Sequence, residues 1–361
     1  MRIGFDGGIL TRRLTGVGIY TVRLIESLAE LDSGNEIIVF ANQDLKRLNL
    51  PVEVVVSRMV NPTLFTQLKL PRLIEDRHID ILHGPNFYLP LRKNILSVLT
   101  VHDLSAQLFP NQHSFKHRIS QRLFNPSLRR ADRIIAVSAA TARDIEEYYS
   151  SVSERVRVVH NGIDNSIRPV SDKEKARVRK HYDLPERFIL FIGTIEPRKN
   201  IENLIRGYSR IHLRESVRLV ISGGKGWKYD EIFELVRELR LEDSVIFTGY
   251  IDTKDLPALY SSAEVFCYPS FYEGFGLPVL ESMACGTPVI SSNVSSLPEV
   301  AGDAALLVNP NEPGQICDGI NRVLEDEGFR RKLIDSGQKR AECFSWRKTA
   351  LKTLAIYEEL M

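Results

Sequence analysis

Two glutamates bracket a glycine turn in the second half of the chain: Glu273-Gly274-Phe275-Gly276-Leu277-Pro278-Val279-Leu280-Glu281. Gly274 and Gly276 permit backbone conformations that other residues resist, and they let a ligand approach the main chain. Pro278 suits the first position of a helix. An apolar strand precedes this segment and a helical pattern follows it. The turn's N–H groups would then sit at a positive helix N-terminus, an anion site suited to a diphosphate. Carboxylates such as Glu273 and Glu281 accept hydrogen bonds from paired hydroxyls of a sugar or ribose. Taken singly, each glutamate would more often be a solvent-facing loop residue or a helix cap. The combination favours a ligand role, because ligands bind at the carboxyl ends of parallel strands.

A second segment, Gly193-Thr194-Ile195-Glu196-Pro197-Arg198-Lys199-Asn200, also links a strand to a helix. Arg198 and Lys199 there could hold a diphosphate and stabilise it as it departs with added charge. Two solvated basic residues are the ordinary alternative. Ser222-Gly223-Gly224-Lys225-Gly226 is a third strand-following glycine loop, as readily a plain turn as a ligand site. Thr15-Gly16-Val17-Gly18 is a weak Gly-x-Gly signal, since Thr21 replaces the third glycine of a dinucleotide fingerprint. Gly16 could still bring backbone close to a diphosphate. His102, at the end of a strand, could touch a sugar hydroxyl or could be a structural partner of Asp103.

These segments need a scaffold of parallel strands, and the chain supplies it. Short β-branched runs alternate with segments of helical period, the mark of βαβ units. The first half offers strands at 2–5, 36–40, 52–56, 79–83, 96–101, 133–137 and 157–159. The second offers strands at 188–193, 218–222, 244–248, 265–268 and 288–291. A helix is expected from near Gly18, with Val22, Ile25, Leu28 and Ala29 on one stripe, and another after Ser138. Asn161-Gly162 marks a turn, and the charged stretch Asp172–Lys180 that follows suits a domain junction, which we place near Arg168. A last helix begins after Ser345 with Trp346, Ala350, Leu354 and Tyr357 on one face.

A chain of 361 residues, 43% hydrophobic and 26% charged, has material for two globular cores. A net charge of +2 gives no global reason to expect nucleic acid. No apolar run reaches the roughly eighteen residues of a transmembrane helix. The N-terminus reads as a strand rather than a signal peptide. Cys267, Cys285, Cys317 and Cys343 form no close pair, so packed, reduced thiols in a cytoplasmic protein are expected. No Asp-x-Asp, no histidine pair at metal-ligand spacing and no Gly-x-Ser-x-Gly occurs, which disfavours metal-dependent transfer and serine hydrolysis. One local basic run stands out. Ser114–Arg133 holds Lys116, Arg118, Arg122, Arg129, Arg130 and Arg133 against Asp132, with Phe115, Ile119, Leu123 and Phe124 near one stripe. It reads as a half-buried helix with a solvated basic face or as a helix lying on an anionic membrane.

With these motifs assembled, the chain resembles the family-4 retaining glycosyltransferases of the GT-B fold, most of all the bacterial mannosyltransferases of O-antigen and other surface-polysaccharide biosynthesis. The resemblance spans nearly the full length. It rests on the Glu-x7-Glu element with Met283–Ile290 behind it, on Gly193–Asn200, and on Pro298-Glu299-Val300-Ala301-Gly302-Asp303-Ala304. It implies an α/β architecture of two Rossmann-like, doubly wound parallel-sheet domains facing a cleft. Residues 1–168, with a crossover helix at 345–361, would bind the acceptor. Residues 169–344 would bind a nucleotide-sugar donor. By matched position Glu273 contacts the donor sugar, and Phe275, Gly276 and Leu277 offer backbone to sugar and phosphate. Glu281 holds the ribose, while Arg198 and Lys199 bind the diphosphate. Gly16 approaches the diphosphate, His102 touches the transferred sugar, and Tyr250 and Ile251 lie near the base. Thr194 departs from an arginine common in relatives and shifts weight to Arg198.

The implied reaction retains anomeric configuration without a metal, a cofactor or an enzymic nucleophile. The implied donor is GDP-mannose, with a UDP-sugar second. A glycan or lipid-linked glycan is the acceptor, and the enzyme is cytoplasmic, with a peripheral place on the inner face of the plasma membrane. A nucleotide-sugar epimerase of the same fold, a nicotinamide-dependent oxidoreductase and a non-catalytic sugar-nucleotide-binding partner are the competing classes.

Overall fold

The computed structural model describes residues 1–10, 14, 16–31, 33–92, 95–109 and 123–361. By contacts the chain divides into Met1–Gly162 with Ser345–Met361, and Ile163–Phe344. Each unit is built on one fully parallel sheet.

The N-terminal unit has strands β1 Arg2–Asp6, β2 Glu36–Ala41, β3 Glu53–Val56, β4 Ile81–Gly84, β5 Leu96–Val101, β6 Arg133–Ala136 and β7 Val156–Val158. They lie in the order β3-β2-β1-β4-β5-β6-β7. Helix α1 (Gly16–Ala29) buries Val22, Ile25 and Leu28 on one face of the sheet. A helical segment runs through Pro62–Leu64 and a π-turn, Phe65–Lys69, into α2 (Leu70–Asp76), burying Phe65, Leu70 and Ile74 on the other. Ser138 caps α3 (Ala139–Tyr148), its hydroxyl accepting from Thr141 N.

The C-terminal unit has β8 Phe188–Ile192, β9 Arg218–Ser222, β10 Val245–Gly249, β11 Val265–Tyr268, β12 Val289–Ser292 and β13 Leu306–Val308, in the order β10-β9-β8-β11-β12-β13. The edge strand β13 has no counterpart among the expected strands. The charged stretch after Pro169 is an ordered helix, α4 (Asp172–His181), rather than a loose junction. Ser171 and Glu174 close a capping box at its start, and Val178 is buried beneath it. The other helices used below are α5 (Ile201–Tyr208), α6 (Leu277–Ala284) and α7 (Trp346–Glu358).

Helix α7 packs into the N-terminal core. Trp346, Ala350, Leu354 and Tyr357 join α1 and the sheet in one apolar cluster. Ser345 caps it, accepting from Lys348 N at 3.3 Å. Tyr357 also reaches a buried polar chain. Its hydroxyl meets His83 Nδ1 at 2.5 Å, His83 Nε2 meets Thr100 Oγ1 at 2.8 Å, and Thr100 meets the Tyr20 hydroxyl at 3.0 Å.

Cys267, Cys285 and Cys317 are buried free thiols, but Cys343 is exposed, against the expectation that all four are packed. The basic run after Ser114 does not extend as one helix to Arg133. Its described part is a helix over Phe124–Arg130, and Arg133 opens β6 and pairs with Glu359 at 3.2 Å. Phe115, Lys116, Arg118, Ile119 and Arg122 lie outside the described residues. No described helix is long and apolar enough to cross a membrane.

Candidate active site

In the C-terminal sheet the strand order reverses between β8 and β11, which are neighbours although β9 and β10 come between them in sequence. Such a switch point opens a crevice at the carboxyl ends of the two strands. The turn after β8 carries Arg198 and Lys199, and the turn after β11 carries Glu273. Two motifs 74 residues apart thus meet because their strands pair.

The meeting is an ion cluster. Lys199 Nζ donates to Glu273 Oε1 at 2.6 Å and to the Tyr268 hydroxyl at 2.7 Å. Arg198 Nη1 donates to Glu273 Oε2 at 3.1 Å and to Tyr272 O at 2.7 Å. Glu196 accepts from Arg198 Nη2 at 2.7 Å. Glu273 is only 8% exposed, so it is no solvent-facing loop residue. Burial by itself would raise its pKa, but the charges of Lys199 and then Arg198 outweigh that and hold the carboxyl at about 2. Burial pulls Lys199 below its ordinary value while Glu273 pulls the other way. The carboxylate is therefore ionised, desolvated and fixed between two cations.

The two turns are laced together beneath this cluster. Asn200 takes a left-handed conformation, and its Nδ2 donates to Pro269 O at 2.8 Å and Pro310 O at 2.7 Å. Phe271 N donates to Arg198 O at 2.9 Å. Ser295 and Ser296 hydroxyls donate to Glu273 O at 2.6 and 2.8 Å, and Ser296 also to Phe275 O at 2.7 Å. These serines, with Glu196 and Tyr268, were not singled out in the sequence. Ser295 lies 22 residues beyond Glu273 and follows a different strand.

Gly276 precedes α6 with φ 113°, and a Cβ there would come within 2.7 Å of Leu297 Cδ2. Only glycine fits both conditions without strain. No side chain caps α6, and Pro278 stands in its first turn. The helix N-terminus therefore adds its positive end beside Phe275, Gly276 and Leu277. Glu281 sits one turn along and accepts from the Tyr260 hydroxyl at 2.8 Å. Burial, with Asp164 adding to it, raises this carboxyl's pKa. The two glutamates of the motif are thus tuned in opposite directions.

The third glycine loop serves as framework. Gly223 has φ 146°, and a Cβ there would lie 2.0 Å from Gly193 O. Ile195 N donates to Gly224 O, and Gly226 N to Ile195 O. The loop's backbone is thus used in holding the Arg198 turn. Tyr250 is exposed after β10, and Ile251 behind it is buried. Gly16 opens α1 and His102 follows β5, both in the N-terminal unit. His102 is not the partner of Asp103. Its Nε2 bonds Pro85 O at 2.8 Å, and Asp103 Oδ1 instead accepts from Ser105 N and Oγ. Burial lowers the His102 pKa, so its ring is neutral, with Nε2–H as donor and Nδ1 as acceptor. Among the described residues no group of three or more His, Cys, Asp or Glu is placed to hold a metal ion.

Residues 14–166 match the family model described as Glycosyltransferase Family 4, and residues 172–340 match Glycosyl transferases group 1. The O-antigen chain mannosyltransferase B of Escherichia coli is 34% identical over 382 aligned residues that span the whole of both chains. The chain is a family-4 glycosyltransferase. Its fold agrees with solved structures. Sucrose-phosphate synthase from Thermosynechococcus elongatus superposes with a TM-score of 0.79 at 25% identity, covering 99% of this chain and 98% of that one. HepE of Anabaena, solved in complex with UDP-glucose, gives 0.78 at 20% identity over 100% and 99%. This glycosyltransferase therefore has the GT-B architecture of two Rossmann-like domains. Its full-length likeness is to an enzyme of O-antigen biosynthesis.

Proposed function

We propose that this glycosyltransferase moves mannose from GDP-mannose to a glycan or lipid-linked glycan, retaining the anomeric configuration and releasing GDP. The observation that carries the reading is the buried Glu273 carboxylate between Lys199 and Arg198, beside the uncapped start of α6. Mannose is favoured by the full-length likeness to the O-antigen chain mannosyltransferase. Arg198, Lys199 and the α6 amides supply fixed positive charge for the departing diphosphate, so the reading needs no metal. Glu273 orients the donor sugar by accepting from its hydroxyls, Glu281 accepts from the ribose, and Tyr250 and Ile251 border the base. Gly16 and His102 act from the N-terminal domain, His102 accepting a sugar hydroxyl at Nδ1. In the transfer, the bond from the anomeric carbon to the diphosphate oxygen breaks. The acceptor oxygen bonds to that carbon on the same face, and its proton passes to the departing phosphate oxygen. Catalysis is then positioning and electrostatic stabilisation. A cytoplasmic enzyme working on lipid-linked glycan would sit peripherally on an anionic membrane, and the basic residues within 114–133 support that part.

Calorimetric titration with GDP, GDP-mannose, UDP and UDP-glucose, without and then with magnesium, tests the reading. Binding of GDP-mannose without magnesium is expected. Preference for UDP overturns the mannose assignment, and binding of no nucleotide overturns the active-site assignment.

A further inference from the structure

The strand order of the N-terminal sheet also reverses, between β1 and β4, which pair although β2 and β3 come between them in sequence. A cavity of about 120 Å³ lies at the carboxyl ends of these two strands, the place where such sheets take ligands. Asp6 lines it from the end of β1, Pro85, Asn86 and Tyr88 from the turn after β4, and Thr66 from the segment leading into α2. Phe87, within that turn, has φ 58°, which is uncommon for a bulky side chain. Tyr88 N donates to Asn86 O at 2.6 Å and closes the turn. Pro85 O accepts from His102 Nε2 at 2.8 Å, so the cavity adjoins the residue assigned to the transferred sugar.

Asp6 is 8% exposed, as buried as Glu273, yet its surroundings are the opposite. Its Oδ1 accepts from Gly8 N at 2.9 Å and its Oδ2 from the Thr66 hydroxyl at 2.5 Å. No described cation pairs with it: burial raises its pKa, and only these two hydrogen bonds hold it down. A carboxylate has about four acceptor positions, so about two stay open. Capping the short turn Gly7–Ile9 uses one of the occupied positions and needs no charge. The Asn86 side-chain amide, also on the cavity, bonds no described residue. A buried carboxylate without a cation is costly unless donors fill its open positions. Sugar hydroxyls are such donors. A phosphate or a second carboxylate is not, and would set like charge against Asp6 where solvent screens poorly.

We propose that this cavity takes one edge of the acceptor's terminal sugar, and that Asp6 makes the site specific for an uncharged sugar. Neighbouring hydroxyls donate to the open positions of Asp6, the Asn86 amide bonds a further sugar oxygen, and a phosphorylated or acidic sugar is turned away by charge. Pockets that enclose a whole small molecule start at about 300 Å³, so an edge of the ring rather than the whole of it is held here. The proposal rests on the reading that residues 1–168 bind the acceptor. It narrows that acceptor from any glycan to one with a neutral end.

The test is titration of the full chain, saturated with GDP, with the methyl glycosides of mannose, glucose, galactose and N-acetylglucosamine and with the 6-phosphates of the same sugars, read by saturation-transfer NMR. Wild type is expected to bind at least one neutral glycoside, and its phosphate about tenfold more weakly or less. Asp6→Asn keeps an oxygen for Gly8 N, and Thr66, already 3.2 Å from Pro62 O, can donate there instead. Wild-type melting and GDP-mannose binding are therefore expected of it, with the neutral glycoside held about tenfold more weakly and the gap to its phosphate closed. Asn86→Ala, which has no side-chain partner to lose, should weaken the neutral glycoside by about fivefold and keep the gap; it carries the test if Asp6→Asn does not fold. Equal or tighter binding of the phosphate by wild type, or variants that bind both probes like wild type, overturns the proposal. A chain that binds GDP but none of the glycosides overturns this proposal alone. A chain that binds no nucleotide overturns the proposed function and this inference with it.

Discussion

The two domains each bury a polar cluster near the carboxyl ends of their sheets, and the clusters differ in charge. In the N-terminal domain Tyr20, Thr100, His83 and Tyr357 form a neutral chain of hydrogen bonds. Thr100 both donates and accepts, and the neutral imidazole donates at one nitrogen and accepts at the other, so the bonds run in one direction between the two tyrosine hydroxyls. In the C-terminal domain Glu273 meets two cations at turns, where the strands give way to helices. A neutral chain of hydrogen bonds fixes a helix to a sheet. A charged cluster beside a helix N-terminus holds electrostatic potential that a phosphate can use. Similar architecture thus carries a fastening in one domain and, on the proposed reading, an anion site in the other.

The sharpest way to break this contrast is Glu273→Gln. Turnover of GDP-mannose should fall by about 10²-fold or more, the scale seen when one preorganised electrostatic partner is lost, while GDP still binds. A steady-state transferase assay reads it, and intact turnover would remove Glu273 from the site. Next is Tyr357→Phe, which leaves a buried His83 nitrogen without its partner. It should cost about 1–3 kcal/mol of stability, seen as a lower Tm with kcat per folded molecule unchanged. A fall in kcat with no loss of stability would mean that the N-terminal network is more than a fastening.

The smallest effect is in pH. Burial, helped by the nearby His102, lowers the His83 pKa from 6.5 to about 3. Below pH 6.5 the unfolded chain takes up a proton at this residue that the folded chain refuses. Stability from this group is therefore complete above 6.5 and is lost as pH falls towards 3, at up to about 1.4 kcal/mol per pH unit. Glu273 works in a lower window. Its pKa is depressed from 4.5 to about 2, so its contribution is complete above 4.5 and lost only as pH falls below that. Urea melts between pH 7 and 5 should show the histidine slope, and His83→Gln should flatten it. An unchanged slope in that variant would show that His83 is not its source.

Much of this was legible in the sequence, and for local reasons. Twelve of the strands in the two sheets lie where short β-branched runs predicted them, because strands buried on both faces, as most of these are, read as apolar runs. Gly276, Pro278, Ser138 and Ser345 marked helix starts through their own backbone and capping chemistry. Glu273, Arg198 and Lys199 stood out as candidates because glycines, charges and strand ends coincide within a few residues. The tertiary structure alone decided the rest. It turned Glu273 from a loop carboxylate into a buried anion with a pKa near 2. It gave Glu273 O two serines from beyond β12, joined His102 to Pro85 O rather than Asp103, and set Tyr357 against His83, 274 residues away. Turn and cap chemistry acts over a few residues and is written in their order. Burial and partner choice depend on which strands pair and which face a helix covers, and those are properties of the packed chain as a whole.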